Sequence, residues 1–574
     1  MRSRMPASSR TRQFVGVSCG LAFVAVGFAI FAVVSGAPIA EIAARAVRRG
    51  TGRGLSAYLP ELADIVWRAT LFSALCVPVS VVLVCHLRAA LGGRGRALAV
   101  GVLLGAVTIN DVFRGHVWST LLTDLDLAAD FARAWVPNFV IVGKYTTVSS
   151  WFAESTGIVA LQALVINTGA DMRPFAEERS MNEHVRWPSI ARIGVCTSGW
   201  VRWIGLAWGS SVAATIAATG AESRVGQGVT IDVMFHNLMG RSSTASTAGV
   251  DAARLALVFG VIGLAACVSV LAFMRRRAME KRAGGTESII LRLSLAGGRF
   301  AVGDKHHGIV CMTVNTLTAG LIGALAVAGW IVVLAPLLGS IKVALSGGIS
   351  GRVGSAWEAL STYFESDRNS SALLRSIAFA TAASLVVTCL MAALVLAREM
   401  RRTSELFVLV VIGMAWAIPG DVSGLGLSWF GQRVESITGR LPIIVAALVG
   451  GAMPWCVALL LMSLRSRPAS RGLAAAELIG IPIERAGRIL REKRSILAAL
   501  ALFAFCSALN ESARSKYVIG VHETLAIQIV GRFGRGIVTV SEDFSVLMAG
   551  MTLLTIVTSS ILMAATARSA ADDA

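Results

Sequence analysis

The chain has 574 residues, 55% of them hydrophobic and only 15% charged, where a soluble domain carries about 25% charged residues. Lys and Arg number 53 against 34 Asp and Glu, a formal net charge of +19. That excess does not point to nucleic acid. The bases sit in short loops between apolar runs of about 20 residues, which is the positive-inside pattern together with attraction to anionic lipid. The nine cysteines form no CxxC pair, the seven histidines form no HExxH set, and no GxxxxGK[ST] phosphate loop occurs. A metal centre, a disulfide framework and nucleotide hydrolysis by this chain are therefore not expected. No catalytic constellation marks it as an enzyme, and no cofactor of its own is expected.

In chain order, MRSRMPASSRTR (1–12) precedes the apolar run 14–35, read as a first anchor with its N-terminus inside. Residues 37–62 then lie outside. Spans follow at about 65–85 and 97–113, joined by the short basic inner loop HLRAALGGRGR. Residues 114–137 are polar enough to be outside, and a fourth span falls within 138–168, a stretch that contains Lys144 and Glu154. A charged loop at 171–198 leads to spans at about 200–220 and 252–274. RRRAMEKR (275–282) opens a long basic connection to about 308, which divides the chain into halves 1–290 and 291–574. The second half places spans at about 310–338, 373–397, 404–429, 441–464, 496–519 and 544–567, with both termini inside. Its outer loop 339–371 ends in WEALSTYFESD, which reads as an interfacial amphipathic helix. The expected fold is all-α: a polytopic helical membrane protein of about 12 transmembrane helices.

The two halves resemble each other. Arg68 opens one span (WRATLFSAL) and Arg375 its counterpart (LRSIAFATA). INDVFRG at 109–115 aligns with PGDVSGL at 419–425, pairing Asp111 with Asp421. AES at 221–223 aligns with NES at 510–512, pairing Glu222 with Glu511, and TIDVM at 230–234 aligns with AIQIV at 526–530. Arg192 and Ile193 precede TIDVM by the same distance as Arg488 and Ile489 precede AIQIV. Six spans per half is an even number, so the expected arrangement is two parallel six-helix repeats about an axis along the membrane normal.

Three stretches carry candidate function. Asp421 lies in IPGDVSGLGLSW, where Pro419 and Gly420 interrupt a helix and Gly424 permits a bend or close approach. Broken helices and intramembrane charges belong where they line a cavity or are buried in protein. The plain alternative for Asp421 and Asp111 is a polar cap at a span end. Glu511, with Arg514 and Lys516 close behind, and Glu222, with Arg224, either pair with the neighbouring base or shape the exit of a pathway. Arg68 and Arg375 read as snorkelling side chains. The third stretch, AAAELIGIPIERAGRILREKR (474–494), is a basic helix–turn–helix between two apolar runs. It is either a topogenic loop or a docking surface on the cytoplasmic side.

Those residues resemble the permease subunits of bacterial binding-protein-dependent ABC importers, and within them the fused two-repeat type that serves ferric iron, thiamine or aminoethylphosphonate. The resemblance covers about 370–570. It rests on the span with Arg375, on IPGDVSGLGL, on AAAELIG followed by RIL, and on LFAFCSALNE followed by HETLAIQIVGRFGRG. It implies a chain in the bacterial inner membrane that moves a small solute by alternating access. An ABC ATPase dimer on the cytoplasmic side would bind the ATP, and a periplasmic binding protein would deliver the solute. The family's EAA loop, which seats in the ATPase, maps onto 470–494. Ala475 and Ala476 match its alanines and Gly480 its glycine, while Ala474 stands at its glutamate and Glu477 follows; Arg488 and Ile489 complete the frame. In the first half, the frame within 171–198 places Glu178 at the glutamate, His184 at the glycine, and Arg192 and Ile193 further on. Neither loop keeps the whole motif. A twelve-span secondary transporter, with Asp421 and Asp111 as coupling acids, and a non-transporting permease-like scaffold are the alternatives.

Overall fold

The computed structural model describes residues 36–46, 59–91, 93–124, 141–171, 201–217, 253–255, 257–258, 308–346, 356–400, 420–465, 487, 490–491, 493–512, 514–518, 524–534 and 542–571. All regular structure among them is helical. The elements are α1 (Ala37–Ala46), α2 (Leu59–Ala90), α3 (Gly93–Thr108), α4 (Asp111–Asp124), α5 (Ile141–Asp171), α6 (Val201–Ala217) and α7 (Gly308–Ser346). They continue with α8 (Ala356–Phe364), α9 (Asp367–Met400), α10 (Gly420–Thr438), α11 (Leu441–Arg465), α12 (Arg494–Asn510), α13 (Leu525–Gly534) and α14 (Glu542–Ala571). A 3₁₀ turn, Ser515–Tyr517, lies between α12 and α13.

Among the described residues, four stretches are long and apolar enough to cross a membrane: Leu62–Arg88, Gly320–Leu345, Asp367–Leu396 and Phe544–Thr566. Shorter apolar helices occupy Trp203–Ile216, Leu441–Val457 and Arg494–Asn510. Large apolar side chains stand exposed along α7 (Leu317, Leu321, Val327, Ile331, Leu338) and α14 (Leu554, Val557, Ile561), the surface a helix turns to hydrocarbon. The expected runs 14–35 and most of 252–274 and 404–419 lie outside the described residues.

Two of the expected spans end early. The run 97–113 breaks after Thr108, and α4 starts afresh at Asp111. The run 496–519 stops at Asn510, followed by an extended residue at Glu511 and the 3₁₀ turn. The stretch 420–429, expected at the end of a span, lies in α10, which runs on to Thr438. α10 ends at Gly439, whose φ of 71° places it in the left-handed region that glycine tolerates. Its N–H donates to Glu435 O at 2.9 Å, the αL closure of a helix C-terminus.

Packing gathers the long helices into two sets of three. α2, α5 and α6 pack mutually, as do α9, α11 and α12. Around the first set lies a core that includes Leu83, Leu87, Ala160 and Ile166; around the second lies one with Val387, Met391, Met453 and Phe503. α3 and α14 run between them as a seam, and Leu164 and Met563 touch both cores. The seam is tight because of GVLLG at 101–105. A Cβ on Gly105 would sit 2.8 Å from Ile556 Cα, and one on Gly101 would overlap the Ser560 backbone. In lipid, helices gain nothing from hiding apolar surface from water, so such close backbone approach is what holds a pair together. Polar side chains add to it. Gln162, fully buried on α5, donates to Ser73 O and Ser211 Oγ at 2.8 Å each and accepts from Ser80 Oγ at 2.9 Å, which ties the first set together.

Antiparallel pairing gives the bundle two unlike ends. One collects Arg88, Arg94, Arg96, Lys493 and Arg494, at the ends of α2, α3 and α12. At the other end α3 and α12 finish, α9, α11 and α14 begin, and the short elements α1, α4, α8, α10, α13 and the 3₁₀ turn cluster.

Candidate functional site: the junction of broken helices

The candidate site is the end where the short elements meet, and it starts from the two helix breaks. The last turn of any helix leaves carbonyls without donors. At the end of α3 the donor is Arg114, which folds back from the first turn of α4 and gives Nη1–H to Ala106 O at 2.8 Å. Its side chain is 7% exposed and lies against Gly157 of α5, where an added Cβ would be 2.7 Å from Nη1. Glu154, one turn away on α5, acts on the guanidinium electrostatically. A cation beside a helix C-terminus and near a carboxylate is the arrangement that makes a buried arginine tolerable.

The residue in the break, Asn110, reaches across to the other break. Its Nδ2 donates to Asn510 O at 3.1 Å and to Ser512 Oγ at 2.8 Å. The end of α3 and the end of α12 thus share one amide, although 400 residues separate the partners. Asn510 in turn donates to Cys506 O at 3.0 Å and to Thr555 Oγ1 of α14 at 2.6 Å. α4 is held further by His116 Nε2 and Ser545 Oγ, 3.3 Å apart. Trp118 Nε1–H donates to Thr156 Oγ1, which donates on to Val332 O, both at 2.9 Å.

Glu511 follows at the C-cap of α12. Its Oε1 accepts from the Arg514 N–H at 2.9 Å, and its Oε2 pairs with Arg514 Nη1 at 3.1 Å, the two side chains being 11% and 13% exposed. The carboxylate lies in a notch left by Gly451 of α11, and the Arg514 backbone lies on Gly424 of α10, where an added Cβ would be 2.5 Å from Arg514 O. Each three-helix set therefore carries a glycine against which a charged side chain from this end rests: Arg114 on Gly157 and Glu511 on Gly451. Beside them, α1 crosses α10, with Pro38 against Gly426. Glu41, 4% exposed, pairs with Arg45 at 3.0 Å and Arg433 at 3.2 Å, and Arg45 stands 4.4 Å over the Trp429 ring.

Of the residues singled out in the sequence, Glu511 and Gly424 are brought together through Arg514. Asp111 is the first residue of α4, a position where an acid is favoured by the helix dipole, and Asp421 lies in α10. Arg68 is half exposed and pairs with Asp64 one turn earlier, at 2.5 Å. Ala474, Ala475, Ala476, Glu477, Gly480, Arg488, Ile489, Glu178, Arg192, Ile193 and Glu222 lie outside the described residues. Sequence reading missed Asn110, Arg114, Asn510, Gly157 and Gly451. GVLLG was legible as a small-xxx-small packing motif; the value of the two asparagines depends on which helix ends meet. Among the described residues no group of three or more His, Cys, Asp or Glu could hold a metal ion. Comparison with protein-family profiles, with characterised proteins and with solved structures finds no match to this chain.

Proposed function

We propose that the chain is the membrane-spanning permease subunit of an ATP-binding-cassette importer, built of two parallel six-helix repeats, 1–290 and 291–574. The observation that carries the reading is the pair of three-helix sets. In the expected repeat α2, α5 and α6 correspond to α9, α11 and α12, and each set packs on itself. Each also seats a charged side chain in a glycine notch at the same end. In this reading the basic end faces the cytoplasm of a bacterium, with both termini there, and the junction end faces out of the inner membrane.

The solute, ferric iron or another small polar species, crosses the membrane by alternating access driven by the ATPase. The broken ends of α3 and α12, with Asp111 and Glu511, lie at the outer mouth of that route, and Asp421 and Glu222 are further candidates for it. A separate ATPase dimer binds ATP and docks on the loop 470–494, and on 171–198 in the first repeat. A substrate-binding protein docks on the outer end.

The test is to purify the chain from its native membrane in mild detergent, identify the co-purifying ATPase and binding protein, and measure solute uptake in reconstituted vesicles. Uptake should require ATP. Gly480→Asp should abolish ATPase co-purification while leaving the amount of chain in the membrane unchanged. Uptake that an uncoupler abolishes and ATP depletion leaves untouched would refute the proposal and favour a secondary transporter.

A further inference from the structure

α8 lies where three of the membrane-crossing stretches stop. Phe544 opens Phe544–Thr566, Asp367 opens Asp367–Leu396, and Leu345 closes Gly320–Leu345. The short helix is fixed to all of them. The Tyr363 ring stands edge-on to Phe544 with 5.3 Å between centroids, and its hydroxyl donates to Asn369 O at 3.0 Å. Leu360 packs against the cluster of Val343, Val546 and Ala549. A helix held to the ends of spans sits at the level of the membrane surface.

Its side chains fall into separate strips. At about 3.6 residues per turn, Leu360 and Tyr363 share the side turned to the bundle, and Glu358 and Glu365 project from the opposite side; both acids are exposed. Trp357 and Phe364 form a further strip on one flank, roughly a quarter-turn from the buried side. They are 77% and 45% exposed. In water that flank leaves ring surface bare at a cost. In the headgroup layer the same arrangement is favourable: the acids meet water while the rings meet the acyl boundary. The neighbouring surface decides between the two. Leu338, Ile341 and Leu345 fall on one exposed stripe of α7, and Leu345, 82% exposed, lies past Val343, which packs with Leu360. The surface that α7 turns to hydrocarbon therefore reaches the level of α8.

We propose that α8 is a lipid anchor, seated in the phospholipid headgroup layer at the junction end, with Trp357 and Phe364 dipping into the acyl boundary and Glu358 and Glu365 in water. An indole suits that depth because its ring is apolar and its N–H can reach a lipid carbonyl. The anchor stands whether or not the chain imports a solute, because it rests on the span ends and on α8 alone.

The test uses the full chain reconstituted in phosphatidylcholine vesicles. The chain has 13 tryptophans, so the emission of Trp357 is read as the difference between wild type and Trp357→Phe. That difference should be quenched by phosphatidylcholine brominated near the carbonyl, less by the same lipid brominated deep in the chain, and hardly by aqueous iodide. In the Trp357→Phe background, Phe364→Trp should restore a lipid-quenched signal. Thr362→Trp, on the other flank, should add one that iodide quenches. All these positions are exposed, so the fold tolerates the changes. Quenching of the Trp357 difference by iodide and not by brominated lipid would overturn the proposal and leave the strip free to meet a soluble protein. Equal behaviour of Phe364→Trp and Thr362→Trp would overturn it too.

Discussion

Gly105→Ala tests the packing argument most directly. An alanine Cβ there would lie 2.8 Å from Ile556 Cα and 2.9 Å from Ile556 Cγ1. Non-bonded carbons rest at about 3.5–4.0 Å, so α3 and α14 must part by roughly 1 Å, a gap that forfeits a quarter to a half of each dispersion contact along the seam. The Ile556 side chain can turn away, but its Cα cannot, so the strain falls on the backbone. Overpacking of this kind costs about 1–3 kcal/mol, roughly a 5- to 150-fold shift in the unfolding equilibrium. The control is Gly209→Ala on α6, where no atom lies within 4 Å of the added carbon. There the intrinsic preference of a helix for alanine, about 0.8–1.0 kcal/mol over glycine, should leave stability unchanged or raised. Both variants would be unfolded by sodium dodecyl sulfate in mixed micelles and followed by circular dichroism. If Gly105→Ala proved as stable as Gly209→Ala and equally monodisperse, the close approach at GVLLG would not be what holds the seam.

Other substitutions probe the junction. Arg114→Leu strips Ala106 O of its donor and removes the cation opposite Glu154; breaking a buried charge arrangement costs about 3–5 kcal/mol, so the yield of monodisperse protein on size exclusion should collapse, with Arg114→Lys intermediate. Asn110→Ala removes two hydrogen bonds worth about 0.5–1.5 kcal/mol each. A double-mutant cycle with Ser512→Ala should recover a coupling energy of that size, and zero coupling would mean that the two breaks are not tied together. Glu41→Gln should cost less, about 1 kcal/mol, since Arg433 is half exposed and water screens it; unfolding should show it, along with a change in Trp429 fluorescence as Arg45 is released from the ring.

Much of the helical layout was legible because hydrophobic runs are local. The run 441–464 is α11 almost to the residue, and 373–397 lies within α9. The break after Thr108 was not. INDVF continues an apolar stretch, and hydropathy cannot register that the helix stops at Thr108 and restarts at Asp111. At α12 the sequence itself turns polar after Asn510, in ESARSK, and the expected bound at 519 overran that change. WEALSTYF was legible as a short amphipathic helix; in the fold Tyr363 is buried on Phe544 while Trp357 stands exposed. At the junction, the pairing of Glu511 with Arg514 could be read from three residues' spacing. The partners of Asn110, and the notches at Gly157 and Gly451, depend on contacts between segments hundreds of residues apart, and nothing local encodes them.

The seam also fixes an order of events in synthesis. α3 is complete at Thr108, but the helix that covers its glycine face does not begin until Glu542. A ribosome takes roughly 20–90 s over that interval at ordinary elongation rates. Throughout it, the surface shaped for close approach has only lipid, or a wrong helix, to pack against. Chains that stop short of α14 leave α3 unmatched, with Asn510 lacking Thr555. The last helix therefore completes a joining of the halves that α1 on α10 and Asn110 on Asn510 begin.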